Sequence, residues 1–466
     1  MRRGMYALAA AMCIPVAGYG GEPLTADSLP AQWQFTPQAQ MQMPATEADR
    51  WWRQFDDHVL DQVIGTIVAR NYSLEAALHR AEASRRAIDA ARSGWYPTVA
   101  ISAGYDRSRT SLDEAGHYVT ATAGTWSAGL SARWEIDLFG RVASQVRQKK
   151  QQYRASRAEV AAAMVSLAAQ GGSAYVTLRQ MQSQLEVASR HAANQRKIVD
   201  MAIARFDAGL ASKLDVAQAW QTYYQTTSQI PPLEKSTRQA LSALSVLMAT
   251  PVDQLPSQLE AAATLPDCHQ LVAAGYPAAL LRRRPDIIEA EAQAAVAASA
   301  VGIAKKEFLP TLAIEGTIGT QARDIGDLFT DKTLTYSVTP TLTWTVFDGL
   351  SRKYNVAEAR ETARAAVDRY NETVTEAVGE VNNALAAYDA SMRQLLIIDN
   401  LNAQCQEALK LAVERYRDSL APMSDVVTAQ LNALNAETSG VQAHADALQA
   451  LIQLYEALGG NPYDYE

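Results

Sequence analysis

The sequence is poor in residues that cross-link a chain or hold a metal, with 3 cysteines and 6 histidines among 466 residues. Cys268 and Cys405 lie far apart and form no Cys-x-x-Cys pair, so no disulfide framework is expected. The histidines form no His-Glu-x-x-His motif and no other spaced ligand cluster. We therefore expect neither a metal site nor another cofactor.

Motifs of catalysis and of nucleic-acid binding are also missing. The chain has no Gly-x-Ser-x-Gly elbow, no phosphate-binding loop and no Gly-x-Gly-x-x-Gly after a strand. The adjacent carboxylates of Asp56 and Asp57 would point apart on a helix and cannot act as a catalytic pair. The net charge of -8 argues against nucleic acid as the main partner. These absences predict a protein that is not an enzyme and binds no nucleic acid.

Long apolar runs are absent beyond the N-terminus, which predicts no transmembrane helix. Arg2 and Arg3, a short apolar stretch and small residues follow the pattern of an export signal over residues 1–20; a buried N-terminal helix is the alternative. Cys13 is a candidate for lipid attachment, although Met12 stands where lipoprotein signals carry a smaller residue. An exported protein without a transmembrane helix is either soluble or a membrane β-barrel.

The second half of the chain repeats motifs of the first half in the same order. The segment Arg205-Phe206-Asp207-Ala208-Gly209-Leu210 is matched 210 positions later by Arg415-Tyr416-Arg417-Asp418-Ser419-Leu420. Trp134 and Trp344 match at the same offset. Such order indicates an internal repeat, with one copy in residues 21–250 and the second in 251–466.

Each copy is predicted to contain a helix, two strands and two long helices, so the fold is mainly α with a membrane β part. The predicted strands are 98–109, 119–137, 311–321 and 334–347; the predicted long helices are 140–207, 212–249, 349–417 and 422–458; a less regular segment covers 251–285. A heptad-like apolar stripe from Val160 to Leu185 is typical of coiled-coil packing. Helices of about 65 residues would span roughly 100 Å.

The predicted strands have one apolar and one polar face, because apolar and polar residues alternate through Trp126–Ile136 and Tyr336–Val346. Strands of about 10 residues have the length that crosses a bilayer when tilted. Aromatic side chains near the strand ends are predicted to face lipid, and charged ones on the polar face to line a lumen. The lipid-facing set is Trp126, Trp134, Tyr336 and Trp344, and the lumen-facing pair is Arg133 and Glu135. A half-buried sandwich strand is the alternative, but the chain offers no further strands to form the second layer.

Four strands cannot close a barrel, since single-chain membrane barrels begin at about eight strands. Unpaired strand edges in lipid cost several kcal/mol per orphan group, so the protomer must assemble. A dimer would give eight strands with a filled interior, and a trimer twelve with room for water. The need to close the barrel does not decide between a dimer and a trimer. The need for a water-filled lumen favours the trimer.

The chain resembles the TolC-type outer-membrane efflux proteins, in particular the branch that serves tripartite drug pumps. The motifs that carry the resemblance are Trp51-Trp52-Arg53-Gln54-Phe55, Leu281-Arg282-Arg283-Arg284-Pro285-Asp286, the Tyr-Pro-Thr and Leu-Pro-Thr strand entries at 96–98 and 309–311, the strand exits at 137–140 and 347–349, and the two helix turns. The resemblance implies a homotrimer with a twelve-stranded barrel in outer-membrane lipid and a periplasmic helical tunnel. It also implies two partners, a periplasmic adaptor protein and an inner-membrane transporter.

The resemblance further implies a constriction of acidic residues at the periplasmic tip. Asp425 matches the first acidic position, whereas Thr428 occupies the second, so a single ring of carboxylates is expected; a helix-capping role for Asp425 is the alternative. Residues of the two turns are candidates for adaptor contact, namely Gly209, Leu210, Ser212, Asp215, Ser419 and Leu420. The arginines at 282–284 either pair with acids of a middle belt or are solvated.

Three functions remain open from the sequence. The first is the outer-membrane duct of a pump that expels drugs or other small toxic compounds. The second is the duct of a type I protein secretion system, and the third is a periplasmic coiled-coil scaffold without a pore. Conductance separates the scaffold from the ducts, and the neighbouring genes separate the two ducts.

Overall fold

A computed structural model of the chain describes residues 23–30, 33, 51–114, 117–267 and 280–460. The predicted export signal with Cys13, and Cys268, lie outside the described residues. The described chain is mainly helical and carries one antiparallel sheet, as the sequence patterns predict.

The helices and strands are numbered here in chain order. The helices are α1 (His58–Arg70), α2 (Tyr72–Arg92), α3 (Arg141–Asp207), α4 (Lys213–Thr227), α5 (Ile230–Leu247), α6 (Ser257–Glu260), α7 (Leu280–Arg283), α8 (Pro285–Lys306), α9 (Ser351–Arg417) and α10 (Met423–Ala457). The strands are β1 (Thr98–Glu114), β2 (His117–Ile136), β3 (Thr311–Ala322) and β4 (Leu334–Thr343). Short 3-10 turns lie at Ala26–Ser28, Trp51–Phe55, Ser93–Trp95, Val252–Gln254 and Ile325–Asp327.

These elements fall into two compact units. The first unit includes Arg80–Ser156 and Ala290–Tyr370, and it contains all four strands. The second unit includes Leu24–His79, Arg157–Glu289 and the chain from Asn371 onward, and it contains most of the long helices.

The sheet of the first unit has the strand order β1-β2-β3-β4, with every neighbouring pair antiparallel. Directly opposed residues share a face, and the register sets Ile101 beside Leu130, Leu130 beside Ile318, and Ile318 beside Tyr336. The next position along each strand gives the polar face, where Arg133 is opposite Glu315. The two-faced character predicted for single strands therefore extends across all four.

Two predicted strand ends are wrong. β1 continues to Glu114 instead of stopping at 109, because its polar end pairs with the start of β2 in one long hairpin. β4 stops at Thr343 instead of 347, where its partner β3 begins at Thr311. Pro310 precedes β3 and has no N–H to continue the ladder.

The predicted helix 212–249, in which Pro231 and Pro232 predict a kink, is interrupted just before those prolines. It is divided into α4 and α5, and Pro231 and Pro232 occupy the first turn of α5. A proline is tolerated there because the first-turn N–H groups have no partner within the helix.

Among the described residues one helix, α8, could cross a membrane by length and composition alone, and the expectation of no transmembrane helix stays a prediction. α8 has a mean hydropathy of 1.4 over an 18-residue window with at most two charged residues. Much of this apolar character comes from alanine. Within the first unit, Gln148 of α3 donates to the carbonyl oxygen of Val296, and Arg154 pairs with Glu291 at 2.7 Å. These contacts make α8 a packing partner of α3.

A buried arginine organises part of the core of the second unit. Arg179 of α3 is 1% exposed and donates to the backbone oxygens of Gln258 (3.0 Å) and Ala261 (2.8 Å). Its Nε donates to the hydroxyl of Tyr175, which in turn donates to the N-cap carboxylate of Asp57. One side chain thereby joins α3, α1 and the segment around α6.

Candidate functional site

The two helix turns of the second unit have the same backbone geometry. Gly209 and Ser419 both adopt left-handed conformations, with φ of 74° and 61°. After each, the next N–H bonds back across the turn: Leu210 to the oxygen of Arg205 and Leu420 to that of Arg415, both at 2.8 Å. These bonds cap the ends of α3 and α9.

Arg205 connects one turn to the other. Its guanidinium donates to the backbone oxygen of Arg417 (2.7 Å) and to the hydroxyl of Ser419 (2.8 Å). It also lies 4.9 Å from the ring centre of Tyr416. Sequence reasoning noted Arg205 only as part of the repeated motif, although an arginine at a turn held in both copies was the available signal.

The candidate adaptor-contact residues differ in what they contact. Leu210 and Leu420 are exposed apolar side chains, and Gly209 is exposed as well. Ser212 and Asp215 form a reciprocal capping box at the start of α4, with bonds of 3.0 and 3.2 Å. The structure thus gives the capping pair a local role, while the two leucines lack a core to pack into.

Asp425 lies in the first turn of α10. The capping box of the first copy cannot form here, because Pro422 is the N-cap and has no N–H to donate. Asp425 and Thr428 are instead exposed on one face of α10. With Cys405, Ala408 and other residues they line a groove of about 460 Å³ between α9 and α10. The carboxylate is therefore available to an aqueous space.

The candidate lumen residues form ion pairs on or beside the sheet. Arg133 and Glu315 face each other across β2 and β3 at 3.2 Å. Glu135 pairs with Arg141, the first residue of α3, at 2.6 Å. Glu315 was not predicted from the sequence as a lumen residue, although the alternation of apolar and polar residues in β3 places it on the polar face.

The candidate lipid-facing aromatics lie on the apolar side of the strands. Trp126 packs against Tyr105 of β1, with ring centres 4.6 Å apart, and Tyr336 is exposed on β4. The indoles of Trp134 and Trp344 each donate to a backbone oxygen just before a strand, those of Trp95 and Phe308, both at 3.0 Å. The two copies therefore anchor their tryptophans in the same way.

The arginine-rich segment at 282–284 includes one buried arginine, Arg284. Arg284 is buried and pairs with both Asp286 and Glu380 at 2.7 Å, while it donates to the backbone oxygen of Ala457. The side chain of Arg282 lies outside the described residues. For Arg284, pairing with acids is the correct alternative.

In the described part of the chain, no group of three or more His, Cys, Asp or Glu side chains is placed to hold a metal ion. What the structure displays is a two-faced sheet, long antiparallel helices joined by tight turns, and an exposed carboxylate beside one turn.

Comparison with known proteins gives the family. The model of the outer membrane efflux protein family matches residues 63–250 and 276–460. The outer membrane protein OprJ of Pseudomonas aeruginosa is 29% identical over 428 residues, 91% of this chain and 88% of OprJ. The antibiotic efflux pump outer membrane protein ArpC of Pseudomonas putida is 28% identical over 444 residues, 93% of this chain and 90% of ArpC. The open-state outer membrane channel MtrE of Neisseria gonorrhoeae superposes with a TM-score of 0.83 at 26% identity, over 95% of this chain and 97% of MtrE.

The chain belongs to the outer membrane efflux protein family. It is a TolC-type outer-membrane efflux channel with a periplasmic helical tunnel. Its relatives are channels and not enzymes.

Proposed function

We propose that this chain forms, as a homotrimer, the outer-membrane duct of a tripartite pump that expels drugs or other small toxic compounds. The observation that carries the proposal is the two-faced sheet. Its apolar face exposes residues such as Leu130, Ile318, Tyr336 and Val338, while its polar face carries the pair of Arg133 and Glu315. An apolar outside and a polar inside are what a water-filled membrane barrel requires.

The sheet also supports assembly. In the described chain β1 and β4 each pair on one side only, so the sheet has two edges. Edge strands within lipid must find partners, and copies of the same sheet supply them. Three copies give twelve strands, enough for an aqueous lumen, whereas eight strands leave an interior that side chains fill. A scaffold without a pore gives no role to an exposed apolar sheet face.

The repeat and the partners belong to the same proposal. Separate matches of the family model to each half, and the equal geometry at Gly209 and Ser419, support an internal repeat. The exposed leucines at 210 and 420 suit an apolar contact with a periplasmic adaptor protein, through which an inner-membrane transporter would deliver substrate. The likeness to ArpC, an antibiotic efflux pump protein, supports drugs over proteins as cargo.

Asp425 is proposed to form the constriction. Three carboxylates around one axis would attract cations and repel anions. In planar bilayers, Asp425→Asn is expected to reduce cation selectivity and block by divalent cations while the channel stays open to ions. Asp418→Asn is a matched control, since Asp418 is exposed at the turn before α10, where its carboxylate lies 3.6 Å from Arg417.

The same recordings test the function as a whole. The purified wild-type protein is expected to conduct ions in a bilayer. A protein that inserts without any conductance would contradict the duct, and unchanged selectivity in Asp425→Asn would remove the carboxylate ring alone.

A further inference from the structure

The apolar face of β1 changes abruptly into a cationic one. Ile101 and Tyr105 lie on this face and are 82% and 50% exposed. Because β1 pairs with β2 without interruption along its whole length, every second residue continues on the same face. The next two residues on that face are Arg107 and Arg109, and both are exposed. One side of a single strand therefore carries an apolar stretch followed by two guanidinium groups.

The change from apolar to cationic side chains falls at a pair of aromatic rings. The ring of Tyr105 packs against Trp126 of β2, with ring centres 4.6 Å apart. The Tyr105 hydroxyl lies over Gly124, where an added Cβ would be 2.5 Å from the oxygen, and Gly124 is the residue opposite Arg107. Tyr105 thus leans along the strand toward the arginines. In membrane barrels such rings mark the level where hydrocarbon gives way to headgroups.

The arginines lie at the outer end of the hairpin. α2 ends at Arg92 before β1, and α3 begins at Arg141 after β2, so both connections to helices leave from the opposite end. The helices form the periplasmic tunnel, so the far end of these strands faces the cell exterior. At about 3.4 Å per residue, the two guanidinium-bearing positions follow Tyr105 by roughly 7 and 14 Å along the strand.

Both positive charges lack a partner of opposite sign. Among the described residues neither Arg107 nor Arg109 forms an ion pair. The residues opposite them on β2 are Gly124 and Thr122, which carry no charge. Asp106 is adjacent in sequence but belongs to the opposite, polar face of the strand. Two unpaired cations beside each other on an otherwise apolar face suit an anionic ligand.

We propose that Arg107 and Arg109 bind the phosphate groups of outer-leaflet lipid, with one such site on each subunit. The planar fork of a guanidinium matches phosphate oxygens, and the exposed apolar face beside it would hold the acyl chains. The outer leaflet of an outer membrane is built of a phosphorylated glycolipid, so anionic groups stand at the level of the arginines. This inference rests on the proposed function, because it needs the apolar face of the sheet to meet lipid.

The test measures lipid binding to the detergent-solubilised protein by native mass spectrometry. The probes are diphosphorylated lipid A and the same lipid without its phosphates. Wild type is expected to bind the phosphorylated form about tenfold more tightly, and Arg107→Gln/Arg109→Gln to lose most of that preference while it still binds both lipids through their acyl chains. Arg107→Lys/Arg109→Lys should keep part of the preference, because an ammonium group retains the charge without the fork.

The matched control removes the same charge from a helix. In Arg85→Gln/Arg86→Gln, two exposed arginines beside Glu82 of α2 are lost, and the preference is expected to equal that of wild type. An equal loss in this control would reduce the effect to net charge and overturn the site. Displacement of the lipid by inorganic phosphate, but not by chloride of the same ionic strength, would overturn lipid as the ligand.

The remaining outcomes separate the lipid site from the duct. A wild-type channel that conducts ions but binds both lipids equally well overturns the site and leaves the proposed function standing. A double glutamine variant that keeps the preference but falls apart into single subunits would make the arginine pair a contact between copies, and that also overturns the site. A wild-type protein that neither conducts nor prefers the phosphorylated lipid contradicts both proposals.

Discussion

Replacement of Arg179 by alanine should lower the stability of the second unit more than substitution of an exposed surface residue does. The guanidinium is buried and donates four hydrogen bonds, to Tyr175, Gln182, Gln258 and Ala261, at 2.8–3.0 Å. Its removal leaves two partly buried backbone carbonyls without this partner, at up to about 1–3 kcal/mol each. The lost packing adds to this cost and relief of the buried charge subtracts from it. We expect a loss of about 3–5 kcal/mol.

The loss of stability should also be visible locally, in the segment that Arg179 holds in place. Without Arg179, the segment at 257–261 loses two of its anchors, so its amides should exchange faster with deuterium. The network also reaches α1, where burial and the Asp57 carboxylate raise the pKa of the Tyr175 hydroxyl. A lysine should rescue little, because a single ammonium cannot reproduce the forked geometry of a guanidinium.

The assay pairs thermal unfolding with hydrogen exchange on the detergent-solubilised protein. A large assembled membrane protein does not unfold in two states, so the melting temperature is compared between variants rather than converted to a free energy. Arg86→Ala is the control, because Arg86 is an exposed helix residue paired with Glu82 and its loss should cost under about 0.5 kcal/mol. Equal melting temperatures for Arg179→Ala and Arg86→Ala, with unchanged exchange at 257–261, would refute the reasoning.

Two further substitutions test the same unit. Burial and two neighbouring carboxylates raise the pKa of Glu289 above its ordinary 4.5, so its stabilising contribution is present below that value and is lost as pH rises through the folded pKa. Glu289→Gln should raise the melting temperature near pH 7 and leave it unchanged near pH 4; a gain at both would contradict this. Gly459→Ala should destabilise by ~2 kcal/mol, because φ is 70° and a Cβ would lie 2.7 Å from Arg284. Gly440→Ala, with its nearest atom 3.9 Å away, is the control, and equal melting temperatures would count against the steric argument.

The parts of the fold that follow local periodicity could be predicted from the sequence. Alternation marks the two faces of β2 and β4, and the long runs without proline mark α3 and α9. Strand ends that depend on a neighbouring strand could not be predicted in this way. β4 stops where Pro310, just before β3, ends the hydrogen-bond ladder between the two strands.

The site was predictable only where a motif repeats. Gly209 and Ser419 emerged from the repeat, and the structure places both in equivalent turns. The contact between Glu437 of α10 and His191 of α3 was beyond such reasoning, because the two residues are separated by 246 positions and neither belongs to a motif. Three-dimensional packing alone brings them together.

The state of assembly of the detergent-solubilised protein is the most direct test of the account. Native mass spectrometry should give three copies of the chain, and an electron cryomicroscopy map should show β1 of one subunit paired with β4 of the next in a closed wall. A stable single subunit whose strand edges face solvent would contradict it.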